Sequence, residues 1–324
     1  MNQSETILIT GGAGFIGAHV AKRLILEGKN VILLDNFNAY YDPTLKEARL
    51  THLLQGLHFT LYRVDIKSSE ELRPIFEHHH IDHIIHLAAQ AGVRYSMEQP
   101  LTYADSNLIG SINILELAKK FGVKGITLAS SSSVYGNADH YPVREEDNTD
   151  HPISLYGATK KSLEVIAYSY HHLYQIPITC LRFFTVYGPW GRPDMALFSF
   201  TKATLEGTVI DVFGQGKLAR DFTYIDDIVD GVVKALEKNL PWAILNLGKG
   251  QVEPLMRMIK LIEQTTSKTI EKRFLDMQPG DVRQTWAEIT QAKTLLGWEP
   301  QTSLDEGVPR FVHWYQDYLL SNRL

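Results

Sequence analysis

The run Thr6-Ile7-Leu8-Ile9-Thr10 leads directly into Gly11-Gly12-Ala13-Gly14-Phe15-Ile16-Gly17, after which residues 18–27 carry helical spacing. Strand, glycine turn and helix in immediate succession leave few folds open. The glycines satisfy G-x-G-x-x-G at 12, 14 and 17, and equally G-x-x-G-x-x-G at 11, 14 and 17. Without side chains there, the backbone comes close to a pyrophosphate, whose charge is met by the amino end of the helix. The place between a strand and a helix start is what lifts so short a motif above chance. A second buried-looking strand, Asn30–Leu34, ends in Asp35, about twenty residues past the glycines. A carboxylate at that strand end accepts hydrogen bonds from an adenosine ribose and repels a 2′-phosphate, so NAD is the expected cofactor rather than NADP. The alternative reading of Asp35, a plain turn residue at a strand end, is weakened by the glycines upstream.

The alternation continues. Residues 44–55 read as a helix, 58–64 as a third strand ending in Asp65-Ile66, and 81–87 as a fourth strand followed by Ala88-Ala89-Gln90-Ala91-Gly92. An acidic residue at position 65 suits an adenine amino group, and the small residues after the fourth strand let backbone approach a cofactor. A helix over 101–121, a fifth strand over 124–129 and a sixth over 178–184 complete the pattern. Strands alternating with helices through the first ~180 residues predict an α/β doubly wound parallel (Rossmann) sheet, whose chemistry collects at the carboxyl ends of the strands. At one such end lies Ser130-Ser131-Ser132-Ser133-Val134-Tyr135-Gly136. The flanking Leu128 and Val134-Tyr135 argue against a flexible serine linker. Residues 185–195 form a loop by their Gly and Pro content, yet carry Thr185, Tyr187, Trp190, Arg192 and Asp194, residue types that recognise ligands. The expected division is an NAD-binding domain over 1–183, with a helix near 225–238 packed on it, and a smaller mixed α/β substrate-binding region over 184–324. No internal repeat or low-complexity linker separates the two, so close packing is expected.

Within this frame stands Ser154-Leu155-Tyr156-Gly157-Ala158-Thr159-Lys160. Tyr156 and Lys160 are four residues apart where an amphipathic helix begins, so they share a face and address one ligand. A phenol with its ordinary pKa of about 10 is a poor base at neutral pH. A neighbouring ammonium and a cationic cofactor favour the phenolate, a group poised for a hydroxyl proton. Tyr-x-x-x-Lys is common by chance, and its weight comes from the motifs around it. Other features exclude function classes. A formal net charge of −5 advertises no nucleic-acid surface, and no apolar run approaches the ~20 residues of a membrane span. A polar lead over residues 2–5 and a single cysteine, Cys180, fit a reducing cytoplasm, with no cysteine-based zinc site. Cys180 itself reads as a small buried hydrophobe. His78-His79-His80 and His171-His172 lack an accompanying carboxylate or cysteine set, so no metal is expected.

The glycine motif, Asp35, the serine run before Val134-Tyr135-Gly136, Tyr156 with Lys160, and Arg220-Asp221-Phe222 together resemble an extended short-chain dehydrogenase/reductase of the NAD-dependent epimerase/dehydratase family. The likeness keeps order and spacing over nearly the whole chain. Within that family, Arg182-Phe183-Phe184-Thr185-Val186-Tyr187-Gly188-Pro189-Trp190-Gly191-Arg192-Pro193-Asp194-Met195-Ala196 and Ala91-Gly92-Val93-Arg94-Tyr95-Ser96 resemble the UDP-glucuronate 4-epimerase branch. The resemblance implies NAD held tightly and recycled in each turnover, among Gly11, Gly14, Phe15, Ile16, Gly17, Asp35, Asn36, Asp65, Ile66, Leu87, Ala88 and Ala89. It implies Ser131 and Tyr156 in proton transfer, with Lys160 on the nicotinamide ribose. It further implies contacts to a substrate carboxylate from Ser131, Ser132, Ser133, Thr185 and Arg192. Similar galactose epimerases carry Asn where Thr185 stands, which favours an acid sugar. Arg220 matches an arginine on the pyrophosphate and Asp281 a residue on the uridine-diphosphate side. Arg94, Phe213 and Arg283 are expected beside the nucleotide sugar, Arg283 at a position where relatives carry a smaller or apolar residue. The implied reaction is C4 epimerisation of a UDP-uronic acid through transient oxidation to a 4-keto sugar. A UDP-glucuronate decarboxylase or an epimerase of the N-acetylated acid sugar would use the same core. So would an NAD-binding regulatory protein without turnover, against which the intact Ser131, Tyr156 and Lys160 weigh. The family likeness also implies a homodimer through two helices per subunit, 101–121 and Leu155–Tyr174, forming a four-helix bundle.

Overall fold

The computed structural model describes residues 4–321, so Asn2 and Gln3 of the polar lead lie outside the described residues. A seven-stranded parallel sheet forms the centre. Six of its strands come first in the chain: β1 (Thr6–Thr10), β2 (Asn30–Leu34), β3 (Thr60–Tyr62), β4 (His83–His86), β5 (Gly125–Ser131) and β6 (Ile178–Phe183). The seventh, Trp242–Leu247, pairs with β6 in parallel, Trp242 opposite Ile178 and Leu247 opposite Phe183. The chain therefore re-enters the sheet well after residue 184. The spatial order is Trp242–Leu247, β6, β5, β4, β1, β2, β3.

Side chains alternate across a strand, and a sheet covered on both faces needs apolar residues at every position. In β1, Ile7 and Ile9 enter one core and Leu8 the other; in β2, Leu33 opposes Ile32 and Leu34 in the same way. Helices Ser69–His78, Gly110–Phe121 and Leu155–Tyr174 cover one face with Leu72, Ile114, Leu115 and Leu163, and Cys180 is buried among them. Helices Phe15–Leu26 and Ile225–Lys238 cover the other face with Val20, Leu24, Ile228 and Val232. This second core runs unbroken into helices Ala196–Glu206, Leu255–Thr266 and Leu304–Ser321. Two small parallel pairs, Thr185–Tyr187 with Phe222–Tyr224 and Ile210–Val212 with Lys272–Phe274, and one antiparallel pair, Ala219–Arg220 with Glu253–Pro254, belong to the smaller region.

β1 pairs with both β2 and β4. The strand order reverses there, so the connections leaving β1 and β4 turn to opposite faces and open a crevice beyond their carboxyl ends. The glycine turn and residues 87–92 form the walls of that crevice.

Candidate active site

The glycine turn is packed too tightly for side chains. A Cβ on Gly11 would lie 2.9 Å from the Ala88 nitrogen, and one on Gly17 would lie 2.2 Å from the Gly11 carbonyl oxygen. Bare backbone and the uncapped amides of the helix Phe15–Leu26 therefore face the crevice, an arrangement that fits a pyrophosphate. Asp35 is buried beside it. Its carboxylate accepts from the Ala13 and Phe37 amides at 3.2 and 2.9 Å and pairs with Lys46 at 3.1 Å. The Asn36 side chain donates to Asp65 at 2.9 Å. Every residue expected around NAD, from Gly11 at one end to Lys160 at the other, lines one cavity of about 410 Å³.

Tyr156 and Lys160 reach this cavity because of how their helix starts. Ser154 caps it, its hydroxyl accepting from the Gly157 amide at 3.0 Å. At Gly157 the helix passes so near the serine turn that a Cβ would lie 2.5 Å from the Ser133 carbonyl oxygen. That approach sets Tyr156 against the end of β5, where the Ser131 hydroxyl accepts from the Ser133 amide at 3.1 Å. Lys160 is buried, donates to the Ala129 carbonyl at 2.7 Å, and stands 6.0 Å from the centre of the Tyr156 ring. Burial lowers the Lys160 pKa to about 8. Burial also raises the Tyr156 phenol, while the Arg192 charge and a hydrogen bond with Ser131 pull it back down. The cation that opposes the rise is thus Arg192, where the sequence points to Lys160.

Ser131, Ser132, Ser133, Thr185 and Arg192 line the same cavity. Arg94, Phe213, Arg220 and Asp281 line an adjoining one of about 720 Å³, and Thr185 and Arg192 belong to both. Arg94 stacks 4.8 Å from the Phe213 ring centre and pairs with Asp281 at 3.4 Å. Arg220 is held by the Ala219 and Arg283 carbonyls at 2.8 and 3.2 Å, and burial lowers its pKa. Its neighbour Asp221 faces away, accepting from the Lys249, Gly250 and Ala287 amides. Arg283 lines neither cavity; its side chain is exposed and only its backbone takes part.

One buried set beneath the site escaped sequence reasoning. Glu164 accepts from Arg182 through both oxygens, at 2.8 and 2.9 Å, and from Ser130 at 2.6 Å. Both partners of the ion pair are 2% exposed. Arg182 also donates to the Tyr135 hydroxyl at 2.9 Å. The available signal was an arginine inside a strand expected to be buried, since a buried charge needs a partner.

The two cavities share Thr185 and Arg192, with the glycine backbone and Tyr156 lining the first and Arg94 and Arg220 the second. Bare backbone at a helix start suits a pyrophosphate, and the arginines suit an anion. A family profile described as GDP-mannose 4,6 dehydratase matches residues 8–311. The chain belongs to that family. This GDP-mannose 4,6 dehydratase family member is 46% identical over 331 residues to a probable UDP-glucuronate 4-epimerase of Rhizobium meliloti (strain 1021), spanning 96% of this chain and 97% of that one. It is 47% identical over 312 residues to UDP-glucuronate 4-epimerase of Thermodesulfobacterium geofontis (strain OPF15), spanning 96% of each. Among solved structures, UDP-glucuronic acid 4-epimerase from Bacillus cereus, in complex with UDP-glucuronic acid and NAD, matches with a TM-score of 0.90 and 36% identity. That match covers 97% of this chain and 99% of the other.

Proposed function

We propose that this chain is a UDP-glucuronate 4-epimerase, interconverting UDP-glucuronate and UDP-galacturonate with NAD as its cofactor. The observation that carries the reading is the placement of Thr185 and Arg192 in both cavities. They put an anion-recognising pair beside Tyr156 and Ser131, where the sugar of a bound UDP-uronate would lie. Bound in the glycine-lined cavity, NAD supplies a two-electron acceptor for the C4 hydride and, when oxidised, a positive charge that favours the phenolate.

The residues of the chain do the rest. Tyr156 takes the proton of the sugar 4-hydroxyl, and Ser131 hydrogen-bonds to the same oxygen. Lys160, anchored on the Ala129 carbonyl, holds its charge against the nicotinamide ribose. After the flat 4-keto sugar turns its other face, Tyr156 returns the proton, so the cycle is redox-neutral and needs no second substrate. Ser131, Ser132, Ser133, Thr185 and Arg192 hold the sugar carboxylate in its charged form, which opposes loss of carbon dioxide. Arg220, Arg94, Phe213 and Asp281 hold the uridine diphosphate, and Asp35 the adenosine ribose.

Purified protein incubated with UDP-glucuronate and NAD tests this reading by chromatography of the products. UDP-galacturonate is the expected product; a UDP-pentose with carbon dioxide, or no conversion, refutes it. Tyr156→Phe should lose turnover while keeping NAD, and an active variant refutes the role of the phenol.

The same reading includes a cytoplasmic homodimer. No helix among the described residues is long and apolar enough to cross a membrane. The stretch 100–121 and the helix Leu155–Tyr174 pack side by side and leave Leu101, Ile109, Val165 and Leu173 exposed at 77%, 52%, 59% and 65%. Apolar side chains on paired helices suit a four-helix bundle with a second copy. Light scattering should give the mass of two chains; a monomer at micromolar concentration refutes the dimer.

A further inference from the structure

Arg192 is held from two directions. Its backbone neighbours are fixed by the fully buried Arg49, which donates to the Trp190 carbonyl at 3.0 Å and the Gly191 carbonyl at 3.4 Å. Arg49 also donates to the Ala13 carbonyl of the glycine turn at 3.1 Å. The Arg192 side chain is gripped by Asp194: Nε donates to Oδ1 at 3.0 Å and Nη2 to Oδ2 at 2.5 Å. Asp194 Oδ2 in turn accepts from the Tyr40 hydroxyl at 3.0 Å. Tyr40 packs on Tyr95, Tyr95 on Tyr103 and Tyr103 on Tyr156, with ring centres 5.0, 6.2 and 6.2 Å apart. Tyr40 and Arg192 line both cavities.

The side-on edge of the guanidinium is therefore occupied, and Nη1 has no protein hydrogen-bond partner among the described residues. An arginine presents a planar fork, and the edge formed by Nη1 and Nη2 matches a carboxylate in one plane only. Asp194 also cancels the formal charge of Arg192. The preference of the pair for an acid group thus comes from direction rather than from net charge.

We propose that Asp194 and Tyr40 are positioning residues that fix the plane of Arg192, so that the substrate carboxylate is held in an orientation that resists decarboxylation. This rests on the reading that Arg192 contacts the sugar carboxylate. In the 4-keto intermediate that group is a β-keto acid. Its loss breaks the C5–C6 bond, releases carbon dioxide and sends the electron pair into an enolate on the C4 oxygen; C5 then takes up a proton. The step requires the C5–C6 bond to stand across the plane of the ketone and negative charge to leave the carboxylate. A fixed bidentate partner opposes both.

The test compares Asp194→Asn, Tyr40→Phe and Arg192→Ala in the full chain with NAD bound, assayed on UDP-glucuronate. The readouts are kcat, KM, the UDP-pentose and carbon dioxide share of product, NAD content and melting temperature. Asp194→Asn should lower kcat roughly tenfold or more, the weight of a hydrogen bond to a charged group. KM should stay level or fall, because the uncancelled guanidinium attracts the anion more strongly while aligning it less. The decarboxylated share should rise, and Tyr40→Phe should move the same way by less. Asp194→Glu, which keeps the charge, should recover part of the wild-type product ratio. An unchanged product ratio in Asp194→Asn and Tyr40→Phe overturns the proposal, as does a loss of kcat that only tracks melting or NAD content. Should Asp194→Asn fail to fold, the nearly isosteric Tyr40→Phe decides alone. If Arg192→Ala leaves KM and product ratio unchanged, the carboxylate reading of Arg192 itself is overturned; if it changes them and the other two do not, only the positioning role falls.

Discussion

Replacing Gly157 with Ala opposes two expectations of different sign. In a helix interior Ala is better than Gly by about 1 kcal/mol, so a purely local argument predicts a more stable protein. The structure predicts the reverse. The added Cβ would stand 2.5 Å from the Ser133 carbonyl oxygen, where ordinary contact begins at 3.4 Å, and the obstruction is backbone rather than a side chain that swings away. Helix start and serine turn must separate by 0.5 Å to reach the 3.0 Å that real contacts respect, and by 0.9 Å to restore ordinary contact. Overpacking of this kind costs about 1–3 kcal/mol, enough to cancel or outweigh the propensity gain. The separation falls between Tyr156 on the helix and Ser131 and Ser133 on the turn. Misplacement of a reacting group by about 1 Å costs on the order of a hundredfold in rate. The assay is kcat for epimerisation of UDP-glucuronate, measured beside the melting temperature of the NAD-loaded protein. We expect kcat to fall about a hundredfold with the melting temperature unchanged or lower. A Gly157→Ala protein with wild-type kcat and a higher melting temperature would refute the claim that this approach places the site.

Three further outcomes follow from buried charge. Burial lowers Lys160 to about 8, so its ammonium is present below that pH and lost above it. In the NAD-loaded enzyme, where the cofactor's charge holds Tyr156 ionised below pH 8, kcat/KM should decline as pH rises through 8, a decline absent from Lys160→Met; a wild-type profile level to pH 10.5 contradicts this pairing of Lys160 with an ionised Tyr156. Stability moves in the other direction. Between 8 and the ordinary 10.5 the unfolded chain holds a proton that the folded one has released, so this group costs the fold less as pH rises. Glu164→Gln removes the only ionised partner that accepts from Arg182 among the described residues. Leaving that buried guanidinium uncompensated should cost roughly 3–5 kcal/mol in urea unfolding, a large part of a typical total of about 5–15; a loss below about 1 kcal/mol shows that water or the Tyr135 hydroxyl suffices.

What was legible in the sequence was whatever is encoded by local spacing. Glycines at 11, 14 and 17, an acid closing β2, and a Tyr and Lys one helical turn apart can each be recognised within a few residues, and each lies on the NAD-side cavity. Partnerships across the fold were not legible. Trp242–Leu247 becomes the seventh strand because it meets β6, and no local pattern sets a short apolar run in one sheet rather than another. Lys46 lies in a stretch that reads only as a helix, yet it is buried on Asp35. Arg182 passes as a strand residue until Glu164 and Tyr135 are brought beneath it. Tyr40 and Asp194 lie 154 residues apart, so their bond could be found only in three dimensions.

On the proposed reading, Arg192 links recognition to proton transfer. Its charge is the foremost influence holding the Tyr156 phenol down against burial, ahead of the hydrogen bond from Ser131. The same guanidinium is the group that, on the reading above, receives the substrate carboxylate. Arrival of that carboxylate neutralises part of the field that favours the phenolate, so an acid sugar makes its own base harder to ionise, and the cationic cofactor must offset the loss. Removing the arginine should reproduce the first part of this in the free enzyme. In Arg192→Ala the phenol loses a cation, its pKa rises, and the acid-side limb of kcat/KM, which reports ionisation of the base before substrate binds, moves to higher pH. The direction follows from losing the cation that holds the phenol down, and a pH–rate profile reads it. If the limb does not move, Arg192 acts on the substrate alone, and the phenolate owes its existence to the cofactor and Ser131.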